Sequence, residues 1–312
     1  MKILITGGAG FIGSNLCDYL VRHDHTVLVL DDLSTGHKEN LSSVMSNITF
    51  YKEKIDTFDF ECIDDIDAIV HLAAQPSVPI SITDFGSSST ANMCGTIKVI
   101  DFCRINQIPL LYASSSAIYG NLELGNDFSS QVDLLSPYAT DKYVLELYAN
   151  TAFKIYQQSS IGLRFFNVYG PRQDPNSPYS GVISIFIDRI LRGDNITING
   201  GFQTRDFVFV KDAVDLIYKA IVVASNDVCC EQTNVLTGHS ISIDYLATML
   251  INKIGGDIDK NYQALPVGDP VLSIGTTEKM VSLLNVELID MIPIESGISK
   301  TVDFIRRQAL NQ

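Results

Sequence analysis

Residues 2–13 read KILITGGAGFIG, and the fold class follows from them. Lys2–Thr6 is an apolar run of strand length that ends in glycine. Phe11–Arg22 then carries apolar residues at helical spacing. Between them two glycine spacings overlap, Gly7-x-x-Gly10-x-x-Gly13 and Gly8-x-Gly10-x-x-Gly13. Alone, such a pattern says little. Between a strand and a helix it describes a tight turn whose bare backbone lets a pyrophosphate reach the start of the helix. Free N–H groups and the helix dipole hold that anion there without Lys or Arg. The bland alternative is a glycine-rich turn with no ligand.

Working outward, further apolar runs stand at Thr26–Leu30, Ile48–Tyr51, Ala68–Leu72, Pro109–Ala113 and Ile161–Phe166. Helical patterns lie between them, notably around Ser88–Arg104 and Tyr138–Tyr156. This alternation predicts an α/β fold, a doubly wound parallel-sheet Rossmann domain. After Gly170 the pattern loosens. Pro171–Gly181 and Gly200–Thr204 read as loops, and Phe207–Val210 with Asp212–Val223 as one more strand and helix. The expected organisation is a Rossmann domain over 1–168 with about 202–225. A smaller substrate-binding lobe, from about 169–201 and 226–312, faces it across a cleft.

Composition narrows the partners. The 312 residues are 46% hydrophobic and 19% charged, enough apolar material for a sizeable core. Asp plus Glu number 36 against 22 Lys plus Arg, a net charge of −14. Such a surface repels phosphate backbones and anionic lipid, so neither a nucleic acid nor a membrane is an expected partner. The six cysteines form no CxxC pair, and Cys229 and Cys230 are adjacent. That fits buried free thiols in a reducing compartment, with no metal site. There is no secretory-type leader and no apolar run long enough to span a bilayer, so the expected location is cytoplasmic.

Asp31 ends the second strand, where a carboxylate accepts both hydroxyls of an adenine ribose and repels a 2′-phosphate. The expected cofactor is therefore NAD. Asp32 is a second partner or a surface neighbour. Asp56, after the third strand, reads equally as an adenine contact or a solvated loop residue. Ser115 lies at the end of the fifth strand, and Tyr138 and Lys142 share one face of the helix that Pro137 opens. A tyrosine titrates near pH 10, and bringing it to about 7 takes roughly 4 kcal/mol. One ammonium about 5 Å away, at an effective dielectric near 20, supplies roughly 3 kcal/mol. A nicotinamide cation supplies the rest. Ser115 then holds the reacting oxygen on Tyr138.

Six motifs stand in order: TGGAGFIG from Thr6, HLAAQPSV from His71, YASSSAIYG from Tyr112, SPYATDK from Ser136, LRFFNVYGPRQDPN from Leu163 and RDFVFVKD from Arg205. Together they resemble the extended short-chain dehydrogenase/reductase family, and within it the NAD-dependent nucleotide-sugar 4-epimerases, over nearly the whole chain. The resemblance implies a base at Tyr138 for the sugar 4-hydroxyl, with Lys142 on the nicotinamide ribose and Ser115 as partner. Gly7, Gly10, Phe11, Ile12 and Gly13 would hold the pyrophosphate. Asp31, Asp32, Ser34, Thr35, Gly36, Ile55 and Asp56 would surround the adenosine, and Leu72, Ala73, Ala74, Gln75 and Phe165 would line the rest. Asn167 and Arg205 would meet the substrate diphosphate. Val182, Thr197 and Asn199 would hold uridine, with Ser77, Ser116, Asp269 and Ser273 completing the substrate set. For Arg205 the bland alternative is an ion pair with Asp206, yet neighbours on a strand point to opposite faces. A homodimer built on the two long helices is also implied.

Absences narrow the subclass. Sugar 4,6-dehydratases carry an acidic residue where this chain has Ser115-Ser116-Ala117-Ile118-Tyr119-Gly120, so dehydration is not expected. An epimerase needs one base, one hydride acceptor and room for the keto sugar to turn. The family arginine three residues before Asp269 is replaced by Pro266, in Leu265-Pro266-Val267-Gly268-Asp269. Ser273 stands near the place of a bulky tyrosine in epimerases restricted to UDP-glucose and UDP-galactose. The small residue leaves space for a 2-acetamido group, or is simply a packing residue. The expected reaction is 4-epimerisation of UDP-GlcNAc/UDP-GalNAc, with UDP-Glc/UDP-Gal as further substrates. UDP-glucuronate or another nucleotide sugar is the enzymatic alternative. A non-catalytic NAD- or nucleotide-sugar-sensing regulator is the rival from another class.

Overall fold

The computed structural model describes residues 1–177, 180–266 and 269–310. In chain order they form β1 (Lys2–Thr6), α1 (Phe11–Arg22), β2 (Thr26–Leu30), β3 (Ile48–Tyr51), β4 (Ala68–His71), α2 (Val78–Thr83), α3 (Phe85–Asn106), β5 (Leu110–Ser115), α4 (Pro137–Tyr156), β6 (Ser160–Phe165) and β7 (Asn167–Tyr169). There follow α5 (Val182–Arg192), β8 (Ile196–Asn199), β9 (Thr204–Phe209), α6 (Val210–Asn226), β10 (Cys230–Val235), β11 (Ser240–Ser242), α7 (Ile243–Ile254), β12 (Lys260–Gln263), α8 (Glu278–Leu284) and α9 (Ile294–Leu310).

Seven strands pair in parallel in the order β10-β6-β5-β4-β1-β2-β3. β4 and β6 are buried along their whole length, as strands covered on both faces must be. The pleat divides β1 between two cores. Ile3 and Ile5 pack with Leu16, Cys17 and Leu20 of α1 and with α6, while Leu4 packs with Val99 and Cys103 of α3 and Leu145 and Ala149 of α4. Chain order reverses between β1 and β4, so a crevice opens at the carboxyl ends of these strands.

Three expectations need correction. β10 belongs to the large sheet, so part of the stretch assigned to the lobe, 226–312, is Rossmann sheet. Its sequence, CEQTNV, has no apolar run because it is a half-buried edge strand at its start. The stretch after Gly170 is also more regular than expected: α5 and α7 pack on each other beside a three-stranded sheet, β11-β9-β7, and a two-stranded one, β12-β8. All six cysteines are free, but only Cys17 and Cys103 are buried. Among the described residues no helix is long and apolar enough to cross a membrane, and no group of His, Cys, Asp or Glu is placed to hold a metal ion.

Candidate active site

Two cavities meet at Tyr138. The larger, about 1260 Å³, runs along the carboxyl ends of β1, β2, β4, β5 and β6. The smaller, about 230 Å³, lies between the ends of β5 and β6, Arg205 on β9 and the chain before α8.

The glycine turn sits at the switch point. Gly7 has φ +72°, and a Cβ there would stand 2.7 Å from the Ala73 nitrogen after β4. A Cβ on Gly13 would overlap the Gly7 carbonyl oxygen, so the first turn of α1 lies flush on the strand end. Gly10 is the N-cap of α1, no side chain caps the helix, and its first turn carries no acidic residue. A bare, positively polarised helix start facing a large cavity fits the diphosphate of a dinucleotide. Asp31, at the end of β2, is held in place by Ala9 N–H at 2.9 Å and Leu33 N–H at 2.8 Å. Each carboxylate oxygen keeps a further lone pair for a ribose hydroxyl. Burial pushes the Asp31 pKa up, and these two N–H groups oppose the shift.

Every residue assigned to the dinucleotide lines the larger cavity. Asp32 does so while accepting Ser34 N–H at 2.9 Å, which turns the chain so that Ser34, Thr35 and Gly36 face the cavity. Ile55 and Asp56 form the wall beyond β3; the Asp56 carbonyl accepts Lys98 Nζ at 3.0 Å. Leu72, Ala73, Ala74 and Gln75 follow β4, and Gln75 N–H is fixed by Asn92 Oδ1 at 2.8 Å. Phe165 closes the end of β6.

Ser115 and Tyr138 line both cavities, and Lys142 lines the larger. Ser136 caps α4 by accepting Ala139 N–H at 3.2 Å, Pro137 occupies the first turn, and Tyr138 N–H donates to Ser81 Oγ at 3.2 Å. One turn on, Lys142 Nζ donates to the Ala113 carbonyl at 2.8 Å and stands 5.7 Å from the centre of the Tyr138 ring. Ser115 Oγ accepts Ala117 N–H at 3.1 Å, leaving its hydrogen for another oxygen.

The ionisation of this pair differs from the sequence expectation. Burial pushes the Tyr138 phenol above its ordinary 10, although the Ser115 hydroxyl beside it pulls the other way. Burial also pushes Lys142 down to about 8, against the pull of Asp141. Charge spacing alone predicts the reverse for tyrosine; desolvation of the pocket is the term that a sequence does not carry. His71, which also lines the larger cavity, is held at about 3 by burial and by the Lys142 charge. It is a neutral spacer between Thr6 Oγ1 at 2.7 Å and Thr96 Oγ1 at 2.9 Å.

Of the substrate set, Ser115, Ser116, Tyr138, Asn167, Arg205, Asp269 and Ser273 line the smaller cavity, and Val182 the larger. Arg205 is paired with Asp269. Asp206 faces away and accepts from Thr237 N–H at 2.8 Å and its hydroxyl at 2.9 Å, as strand alternation requires. Three residues are not brought to the site. Ser77 is the N-cap of α2, accepting Ile80 N–H at 3.2 Å, and lines neither cavity. Thr197 and Asn199 lie on β8, which among the described residues pairs only with β12 and contributes to neither cavity. The Pro266 carbonyl accepts Asp269 N–H at 3.2 Å; Val267 and Gly268 of the same motif lie outside the described residues. Sequence reasoning missed Tyr119, which lines the smaller cavity, and the Asn92–Asp141 bond at 2.9 Å that ties α3 to α4. Their partners lie far away along the chain, so spacing held no signal.

Residues 3–235 match the NAD dependent epimerase/dehydratase family. The chain belongs to that family. It is 33% identical over 318 residues to the UDP-glucose 4-epimerase of Mycolicibacterium smegmatis, covering 99% of this chain and 100% of that protein. The UDP-N-acetylglucosamine 4-epimerase from Methanobrevibacter ruminantium M1, solved in complex with UDP-N-acetylmuramic acid, superimposes with a TM-score of 0.88 at 33% identity, covering 98% of each chain. The UDP-glucuronic acid 4-epimerase from Bacillus cereus, solved with UDP-glucuronic acid and NAD, gives 0.89 at 28% identity, covering 99% of this chain and 100% of that one. These epimerases share the fold and differ in the sugar.

Proposed function

We propose that this protein is an NAD-dependent UDP-sugar 4-epimerase whose preferred pair is UDP-GlcNAc and UDP-GalNAc, with UDP-Glc and UDP-Gal as further substrates. One observation carries the reading: Ser115 and Tyr138 stand at the junction of a dinucleotide-sized cavity and a smaller one that holds Arg205, Asp269 and Ser273. Bound NAD supplies reversible two-electron oxidation at the sugar C4. The chain supplies the rest. Tyr138 takes the 4-hydroxyl proton and later returns it, and Ser115 hydrogen-bonds the same oxygen. Lys142 keeps a positive charge one helical turn from the phenol. Arg205, already oriented by Asp269, meets the substrate diphosphate, and Asn167 lies beside it in the same cavity.

Ser273 supports the acetamido sugar, because it leaves the smaller cavity open where a larger side chain would fill it. A uronate finds less there. Among the described residues lining that cavity Arg205 is the one cation, and Asp269 already engages it. A homodimer fits the exposed apolar stripes: Ile97 and Ile105 on α3, and Leu147, Tyr148 and Ile155 on α4. A reducing, cytoplasmic setting fits six free cysteines.

The test is net conversion of UDP-GlcNAc, UDP-Glc and UDP-glucuronate by purified protein without added NAD. The 4-epimer of UDP-GlcNAc is expected to form fastest, and Tyr138→Phe is expected to abolish turnover while NAD stays bound. No 4-epimer from any of the three overturns the activity, and faster conversion of UDP-glucuronate overturns the substrate.

A further inference from the structure

Helix α4 carries three functional side chains in steps of four: Tyr138, Lys142 and Glu146. They share one face. The first two reach the cavities; Glu146 lines neither and is 2% exposed, deep between α4 and the sheet. A carboxylate at such a place persists only when it is fully paired. Glu146 Oε1 accepts Ser114 Oγ at 2.5 Å and Arg164 Nε at 2.9 Å, and its Oε2 accepts Arg164 Nη2 at 2.7 Å. The remaining arm of Arg164, Nη1, donates to the Tyr119 hydroxyl at 2.8 Å. Tyr119 in turn donates to Asn234 Oδ1 at 2.7 Å, and the Asn234 amide is fixed by the Gly125 and Thr276 carbonyls at 2.9 and 3.0 Å.

The placement of this chain of bonds is specific. Ser114 and Arg164 stand opposite each other in the β5–β6 register. Each precedes a residue of the site, Ser115 and Phe165, and Tyr119 lines the smaller cavity. One carboxylate therefore joins the helix that bears Tyr138, the two strands that bear Ser115 and Phe165, and the cavity wall. Apolar residues of similar size would stabilise a core at least as well as a buried ion pair does, whereas a fork-shaped pair fixes registry. We infer that Glu146 and Arg164 are a positioning pair for the epimerase reaction, setting Tyr138 against Ser115 and holding Tyr119 in the wall of the sugar cavity. Neither touches substrate. The inference rests on Tyr138 being the base.

Full-length Glu146→Gln, Arg164→Lys and the neutral double variant Glu146→Gln/Arg164→Met test it, beside Tyr138→Phe. Turnover of UDP-GlcNAc and UDP-glucose is measured per NAD-loaded site across pH, together with thermal melting. Gln places an NH2 where one of the carboxylate oxygens accepts, and Lys keeps the charge but loses the fork. Positioning predicts a kcat lower by about tenfold or more in all three. It also predicts a KM changed by less than about threefold and a displaced acid limb of the kcat–pH profile. The double variant leaves no unpaired buried charge, so it is the one expected to keep its fold. Wild-type kcat and pH profile with only a lower melting temperature, in Arg164→Lys or in the double variant, would overturn the inference. Continued turnover by Tyr138→Phe would instead remove the reading on which it rests.

Discussion

Replacing Lys142 by Met removes an ammonium while keeping an unbranched apolar stem. Lys142 Nζ stands 5.7 Å from the Tyr138 ring centre. At an effective dielectric near 20 that separation is worth about 3 kcal/mol, roughly 2 pH units of tyrosine ionisation. The acid limb of the kcat–pH profile is therefore expected to move up by about 2 units, and kcat at neutral pH to fall about 100-fold. At higher pH the variant regains rate, because the phenol still ionises. Lys142 also lines the dinucleotide cavity, so NAD content is measured on denatured protein and kcat is expressed per loaded site. Stability moves the other way. Lys142 is 6% exposed and its pKa is pushed from 10.5 down to about 8. Below that value both folded and unfolded chains carry the charge, so the folded state bears the full burial cost. Between there and 10.5 the folded state sheds its proton first, and stability rises with pH. Below pH 8 the Met variant is thus expected to be more stable than the wild type, by up to about 3 kcal/mol of unfolding free energy less the lost bond to Ala113, and to melt at a higher temperature. A uniform fall in kcat with an unmoved acid limb would refute the reasoning: Lys142 would then orient the site without tuning the base.

Gly13→Ala drives a methyl into the Gly7 carbonyl, so the purified protein should carry little NAD, or the soluble yield should collapse; full NAD occupancy would disprove the close-packed turn. Ser273→Tyr should depress kcat/KM for UDP-GlcNAc relative to UDP-glucose by about tenfold or more, and an unchanged ratio in competition assays would acquit Ser273. Ile155→Glu puts a carboxylate on the exposed stripe of α4; light scattering should then show monomer, and a persistent dimer would place the interface elsewhere.

The sheet was legible where burial and periodicity speak together. β1, β2, β4, β5 and β6 fall on apolar runs, because central parallel strands have little polar face to confuse the pattern; the edge strand β3, ITFY, was legible from its β-branched and aromatic residues. β10 was illegible for the opposite reason. Thr233 and Asn234 are buried but satisfied by Asp127, at 3.2 and 2.9 Å, a partner more than a hundred residues away. The site divides along the same line. Tyr138 and Lys142 announce themselves by a spacing of four, and Glu146 continues that spacing, but its meaning depends on Arg164 in another strand. Alternation along β9 separated Arg205 from Asp206, yet could not supply Asp269 as the partner. Thr197 and Asn199 were placed by resemblance alone, without local chemistry to support them, and these are residues the structure leaves outside the cavities.

The tyrosine shows why charge spacing is not enough. A phenol and an ammonium buried together are both pushed toward their neutral forms, so an ammonium helps the phenol ionise only while it keeps its own proton. Burial sets the larger part of both shifts, and the Asp141 carboxylate acts on both groups. That makes geometry decisive. The separations among Tyr138, Ser115 and Lys142 set how much of the burial cost their mutual interactions offset. The Ala113 carbonyl fixes one turn of α4 and Glu146 the next. A helix held at two successive turns keeps the phenol at a set distance from the ammonium, so the attraction that stabilises the phenolate is in place before the proton moves.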